Sequence, residues 1–230
     1  RKPCFLTMRL DLIQLPILPF SKALHKLHGS SAAGIDSGLA DDFSLSLTLA
    51  SNQIPVTDIC VCNLRKFVGR DVVIGAITNH GGPAAIQGKA DGEAAIKGVL
   101  NAIDTNPTCD GFIIGCFDDT GLFEARSITS KPVIGIGEAS FKLAALRYAR
   151  FQILTTLAPS IPVIQENVSR QGYKDKCMAV IASGVPVLEL ENNPHEAMRI
   201  LSKFISAIAA SILSPPTNRE GLASAALTAI

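Results

Sequence analysis

At 230 residues the chain is long enough for one large α/β domain or two small lobes. Its 21 basic and 20 acidic residues leave a net charge of +1 and are spread along the chain, and Trp is absent, so neither the charge nor the stacking surface expected of a nucleic-acid binder is present. Charge, Pro or Gly breaks every apolar stretch before the roughly 20 residues needed to cross a bilayer.

The opening Arg1-Lys2-Pro3 followed by Phe5-Leu6-Thr7-Met8 imitates a signal peptide, but Arg9 and Asp11 interrupt the apolar run, so the reading is a cytoplasmic protein. Met8 to Phe20 has room for a first strand, cut by Pro16 and Pro19, and Ser44 to Val68 offers apolar material without a clear period. Cys60 and Cys62 form a C-x-C read as lying on a strand. No third and fourth ligand accompany them, so they are read as buried small hydrophobes. The six cysteines show no disulfide spacing and are expected to be reduced.

From Asp71 onward strands and helices alternate, the pattern of parallel sheets with crossover helices. Strands are predicted over Asp71 to Thr78, Phe112 to Phe117, Pro132 to Ile136, Phe151 to Thr156 and Cys177 to Ala182. Helices are predicted over Ala84 to Ile103, Leu122 to Ser127, Ala139 to Ala149, Ile161 to Gln171 and Pro194 to Ile212. The last has Pro194 in its first turn and one apolar face of Met198, Leu201, Ile205, Ile208 and Ile212.

Cys116 is predicted at the carboxyl end of a buried strand, where ligands collect in open parallel sheets. The following loop and helix turn N–H groups toward it, so the thiol is expected to ionise below its reference of about 8.5 and to abstract a proton or attack an electrophile. Filling a tight strand end is the plainer role for the same residue. Asp118 and Asp119 either orient a substrate or the thiol, or are loop and cap residues. Thr155 and Thr156 end a neighbouring strand and offer hydroxyl and backbone donors to a carboxylate or imide oxygen. His25, His28, His80 and His195 read as loop or surface residues.

Three segments carry a resemblance: Gly115-Cys116-Phe117-Asp118-Asp119-Thr120-Gly121-Leu122, Pro132-Val133-Ile134-Gly135-Ile136-Gly137-Glu138-Ala139 and Phe151-Gln152-Ile153-Leu154-Thr155-Thr156. With Gly82-Pro83-Ala84-Ala85-Ile86 and Pro186-Val187-Leu188-Glu189-Leu190-Glu191 in the same order, the chain resembles the Asp/Glu/hydantoin racemase family, hydantoin racemases and their fungal relatives in particular, over roughly Val72 to Ile212. The resemblance implies two pseudo-symmetric Rossmann- or flavodoxin-like lobes with parallel sheets and a cleft between them. Two cysteines would face each other across it, moving a proton at Cα of an amino acid or 5-substituted hydantoin with no cofactor and no metal. The lobes would span 1–130, with 1–70 atypical, and 131–212, followed by an atypical tail over 213–230. Cys116 carries over as the first catalytic cysteine. Gly115, Phe117, Asp118, Asp119, Thr120, Thr155, Thr156 and Ser31 are the expected substrate contacts. The partner is a small molecule, with no nucleic acid or membrane, and a homo-oligomer is left open.

Two departures stand out. Near the start, only Ser30-Ser31-Ala32-Ala33 and Asp36-Ser37-Gly38-Leu39 resemble the segment just beyond the family's asparagine motif. After the helix at Pro194 to Ile212, where the family carries a strand ending in its second cysteine, this chain has Ser214-Pro215-Pro216-Thr217, and Cys177 matches a non-catalytic position. The last strand of the second lobe is therefore expected to be missing or altered. Activity is expected to be impaired, and the chain to be a divergent, truncated or misspliced member. A non-catalytic small-molecule binder is the first alternative. A dinucleotide-binding oxidoreductase is the second, suggested by Gly135-Ile136-Gly137-Glu138-Ala139-Ser140 between a strand and a helix.

Overall fold

The computed structural model describes residues 6–7, 43–53, 61–62, 64–69, 72–213 and 224–228. Strands are β1 (Leu6–Thr7), β2 (Phe43–Leu49), β3 (Val72–Thr78), β4 (Gly111–Ile114), β5 (Val133–Gly135), β6 (Arg150–Thr155), β7 (Cys177–Ala182) and β8 (Ser224–Thr228). Helices are α1 (Lys89–Asp104), α2 (Leu122–Ile128), α3 (Ile136–Arg147), α4 (Ile161–Arg170), α5 (Glu189–Asn192) and α6 (Pro194–Leu213), and a short 3-10 turn spans Ala158–Ser160.

The strands form two four-stranded sheets, β3-β2-β4-β5 and β1-β8-β6-β7, with parallel pairing throughout. Read from β7, the second sheet runs β7-β6-β8-β1, which repeats the order of the first with β6 in the place of β2 and β8 in the place of β4. This is the expected pair of pseudo-symmetric α/β lobes. The last strand of the second lobe is altered rather than missing: its place beside β6 is taken by β8, whose sequence SAALT contains no cysteine. Strand membership departs from the expected division at 130, because β5 pairs with β4 in the first sheet while β1 and β8, from the two ends of the chain, join the second.

Each sheet buries both faces, as parallel sheets with crossover helices do. On one face of the first sheet, Phe112 and Ile114 of β4 pack with Ala95, Val99 and Ile103 of α1 and Leu122 and Ala125 of α2. Leu47, Leu49 and Ile74 pack with Leu64 in a separate cluster. In β6 the alternation is clear: Phe151 and Ile153 join Phe141 and Ala144 of α3 and Ile164 and Val168 of α4, while Leu154 joins Leu201 and Ile208 of α6. Full burial of each such side chain is worth about 1.5–3 kcal/mol.

Several local expectations need correcting. Ser44 to Val68 begins with β2, the strand between β3 and β4, in which Phe43, Leu45, Leu47 and Leu49 alternate with Ser44, Ser46 and Thr48 at a period of two. Cys62 is helical and exposed instead of lying in a buried strand, and Cys60 falls outside the described residues. The first long helix starts at Lys89, not Ala84, because Gly88 holds φ at 137°, and a Cβ there would lie 2.8 Å from Pro159 Cβ. Strand β4 stops at Ile114, leaving Gly115, Cys116 and Phe117 in the loop beyond it. Cys62, Cys109, Cys116 and Cys177 are free thiols, and His80 and His195 are exposed.

Candidate active site

A cleft of about 300 Å³ opens at the carboxyl ends of strands from both sheets. The first sheet contributes Leu49, Ala50, Ser51 and Gln53 after β2, Ala84 to Ile86 after β3, and Gly115 to Asp118 after β4. From the second come Thr155 and Thr156 at the end of β6, Ser160, and Val187, Leu188, Leu190 and Glu191 after β7. The equivalence of β2 and β6 places Ala50-Ser51 and Thr155-Thr156 as matching floor segments from the two lobes.

Of the residues singled out from sequence, Cys116, Gly115, Phe117, Asp118, Thr155 and Thr156 all line this cleft. Gly115 is there for space: a Cβ would sit 2.6 Å from Leu49 Cδ2. Phe117 packs edge-on to the buried Phe141 at 5.6 Å between ring centroids, fixing the loop onto α3. Thr120 is buried beneath the loop, its Oγ1 lying 3.3 Å from Cys116 Sγ. Ser31 lies outside the described residues.

Asp119 is part of the scaffold. Its φ is 49°, in the left-handed region that Asp tolerates better than most residues. This turns its carboxylate away from the cleft lining and onto the start of α3, where Oδ1 accepts Gly137 N–H at 2.9 Å and Oδ2 accepts Glu138 N–H at 2.8 Å. Gln171 Nε2 adds a third donor at 3.1 Å. These donors favour the carboxylate, but burial outweighs them and pushes its pKa up to about 7. The same contacts answer the dinucleotide reading. The helix N-terminus after Gly135, where a pyrophosphate would rest, is already capped by the protein's own Asp119.

The thiol contradicts the expectation of a lowered pKa. Backbone N–H groups of Asp118 and Thr120 and the Thr120 hydroxyl do point at Cys116 and favour the thiolate. Burial opposes them, the negative charge of Asp118 adds to it, and the pKa is pushed up to about 12. In the open cleft at neutral pH, Cys116 is therefore held as the thiol.

Sequence reasoning missed the residues that hold Asp118. Ser160 Oγ donates to its Oδ2 at 3.0 Å, and Asn167 Nδ2 donates to its main-chain oxygen at 2.7 Å, so the 3-10 turn and α4 of the second lobe grip the thiol loop of the first. Burial pushes the Asp118 carboxyl up to about 6 against the Ser160 hydrogen bond. Asn79 was also missed; its Nδ2 donates to Ala50 O at 3.0 Å and Ala95 O at 3.1 Å, bracing one cleft wall on α1. The loops at Ala84 to Ile86 and Val187 to Glu191 had a sequence signal, since both stand within segments that carry the family resemblance. Among the described residues lining the cleft there is no Lys, Arg or His, and among the described residues no cluster of potential metal ligands occurs.

Two parallel α/β lobes with a thiol loop at their shared cleft define the class of protein. The Asp/Glu/hydantoin racemase family model matches residues 54–212, and the chain belongs to that family. It is 41% identical over 125 residues to the hydantoin racemase of Rhizobium meliloti, covering 54% of this chain and 52% of that protein. To the hydantoin racemase of Pseudomonas sp. (strain NS671) it is 32% identical over 133 residues, covering 57% and 53%. The chain thus matches about half the length of these relatives. Among solved structures, allantoin racemase from Klebsiella pneumoniae superposes with a TM-score of 0.68 at 28% identity, covering 72% of this chain and 69% of that one. No helix among the described residues is long and apolar enough to cross a membrane.

Proposed function

We propose that this chain catalyses cofactor-independent proton transfer at a carbon flanked by a carbonyl, with Cys116 at the reacting carbon and a 5-substituted hydantoin as the substrate class. The observation that carries this reading is the convergence of Cys116, Asp118, Thr155 and Thr156 on one cleft of about 300 Å³ at the strand ends of both lobes. A cleft of this size suits a small ring with a side chain.

The charge of the lining favours the ring over a free amino acid. An α-carboxylate would face Asp118 and Glu191 with no Lys, Arg or His among the described lining residues to receive it. A hydantoin is uncharged and presents imide N–H and carbonyl groups, which Thr155, Thr156 and Ser51 can meet with hydroxyl donors and acceptors. Charge developing on the carbonyl oxygen during proton removal would then be stabilised by these fixed donors. The relatives named hydantoin racemases agree with this choice.

The test is the decay of optical rotation of an enantiopure 5-substituted hydantoin. The full chain racemises it, C116A does not, and L-aspartate and L-glutamate are left unchanged. Equal decay with C116A, or turnover of the free acids alone, would remove the reading. A second reading, ligand binding without turnover, draws on the high pKa of the thiol and on Cys116 being the single cysteine in the described lining. Calorimetric binding of the hydantoin with no loss of rotation would establish it instead.

A further inference from the structure

Exchange of a proton between two faces of a planar intermediate calls for two groups, and the described cleft lining offers one thiol. Asp118 stands two residues beyond Cys116 and lines the same cleft, although only 8% exposed. It does not cap the next helix, whose N-cap is Gly121. Its side chain is instead held by the Ser160 hydroxyl, itself 2% exposed, and its main chain by Asn167. A buried carboxylate with no cation beside it in the lining is costly, and its place next to the thiol is where that cost has a use.

We propose that Asp118 is the second proton-transfer group of the cleft, its carboxylate taking the proton from the substrate carbon while the Cys116 thiol returns one to the same carbon. This rests on the proton-transfer reading above and names the partner that reading lacks. In the first step the C–H bond breaks, an O–H bond forms on Asp118, and the electron pair moves onto the adjacent carbonyl oxygen. In the second the enolate collapses, a C–H bond forms with the proton of Cys116, and a thiolate remains. Loss of the Asp118 proton to solvent and uptake of a solvent proton by the thiolate restore the starting pair, and running the steps in the opposite sense serves the other enantiomer.

The resting protonation states suit these roles. With Asp118 at about 6 and Cys116 at about 12, neutral pH holds one as carboxylate and the other as thiol. The described groups around Asp118 add no competing cation. Asp119 is turned onto α3, Glu191 of α5 shares the cleft, and β6, the 3-10 turn and α4 present Thr155, Thr156, Ser160 and Asn167.

The experiment follows an enantiopure 5-benzylhydantoin in deuterated buffer with the full chain, D118N and S160A, together with ultraviolet titration of the Cys116 thiolate. In the unsubstituted chain the inverted product carries deuterium while remaining substrate stays protonated, and the rate rises through about pH 6 to a plateau. D118N lowers the rate by about 100-fold or more and, by removing the neighbouring charge, moves the thiol titration down by about one pH unit. S160A removes a bond that favours the carboxylate and shifts the rising limb to higher pH. A D118N rate equal to that of the unsubstituted chain, or an unmoved thiol titration, overturns the proposal and leaves the proton-transfer reading standing. A full chain that turns over no hydantoin overturns both.

Discussion

Replacing Asp119 by Ala separates a scaffold role from substrate contact. The carboxylate is 3% exposed and accepts three N–H groups, from Gly137, Glu138 and Gln171. Losing a helix N-cap costs about 1 kcal/mol, and each buried donor left without an acceptor costs about 1–3 kcal/mol. Relief from burying the carboxylate, which raises its pKa to about 7, returns part of this. We expect a net loss of about 2–3 kcal/mol at pH 7, seen as a fall of about 1 M in the urea midpoint. The pH dependence has a defined sign. A carboxyl raised from 3.8 unfolded to about 7 folded contributes stability that is fully present below its unfolded value and lost as pH rises through its folded value. D119A should therefore lose less stability between about pH 4 and 7 than the unsubstituted chain does. A D119A midpoint within about 0.2 M, with hydantoin binding weakened instead, would refute the assignment of Asp119 to the scaffold.

Other outcomes concern the cleft and its supports. G115V drives a side chain into Leu49, and we expect about 1–3 kcal/mol of destabilisation by denaturant unfolding together with loss of hydantoin binding by calorimetry. F141A empties a fully buried site beneath Phe117 and should cost about 3–5 kcal/mol by the same measurement. Site-resolved mass spectrometry after iodoacetamide treatment should find Cys116 modified slowly at pH 7.5 and still accelerating at pH 10; a plateau by pH 9 would contradict the raised thiol pKa.

The alternation of β-strands and helices from residue 71 onward is legible in the sequence because buried parallel strands read as short apolar runs punctuated by Gly, Pro and Asp. Strand β2 is harder to see although its sequence FSLSLTL keeps strict alternation, since Ser and Thr lower its hydrophobicity while the sheet supplies its neighbours. The strand-end motif locates Cys116, but the direction of its pKa depends on how much protein surrounds the sulfur and on the charge of Asp118, neither of which a linear sequence displays. Motif position leaves Asp119 between substrate contact and capping, and its left-handed backbone decides for capping by turning it to α3, a contact across 18 residues of chain. Ser160 and Asn167 lie more than 40 residues beyond Asp118, and only the folding of β6 against the thiol loop brings them there.

Central to this mechanism is the exchange of a proton between the sulfur of Cys116 and a substrate carbon. Nuclear magnetic resonance of a 5-substituted hydantoin in deuterated water, comparing the full chain with C116A, measures that event itself. With a chiral shift reagent added, enzyme-dependent deuterium in the inverted enantiomer that C116A abolishes is the expected result; its appearance at the same rate with both proteins would contradict it.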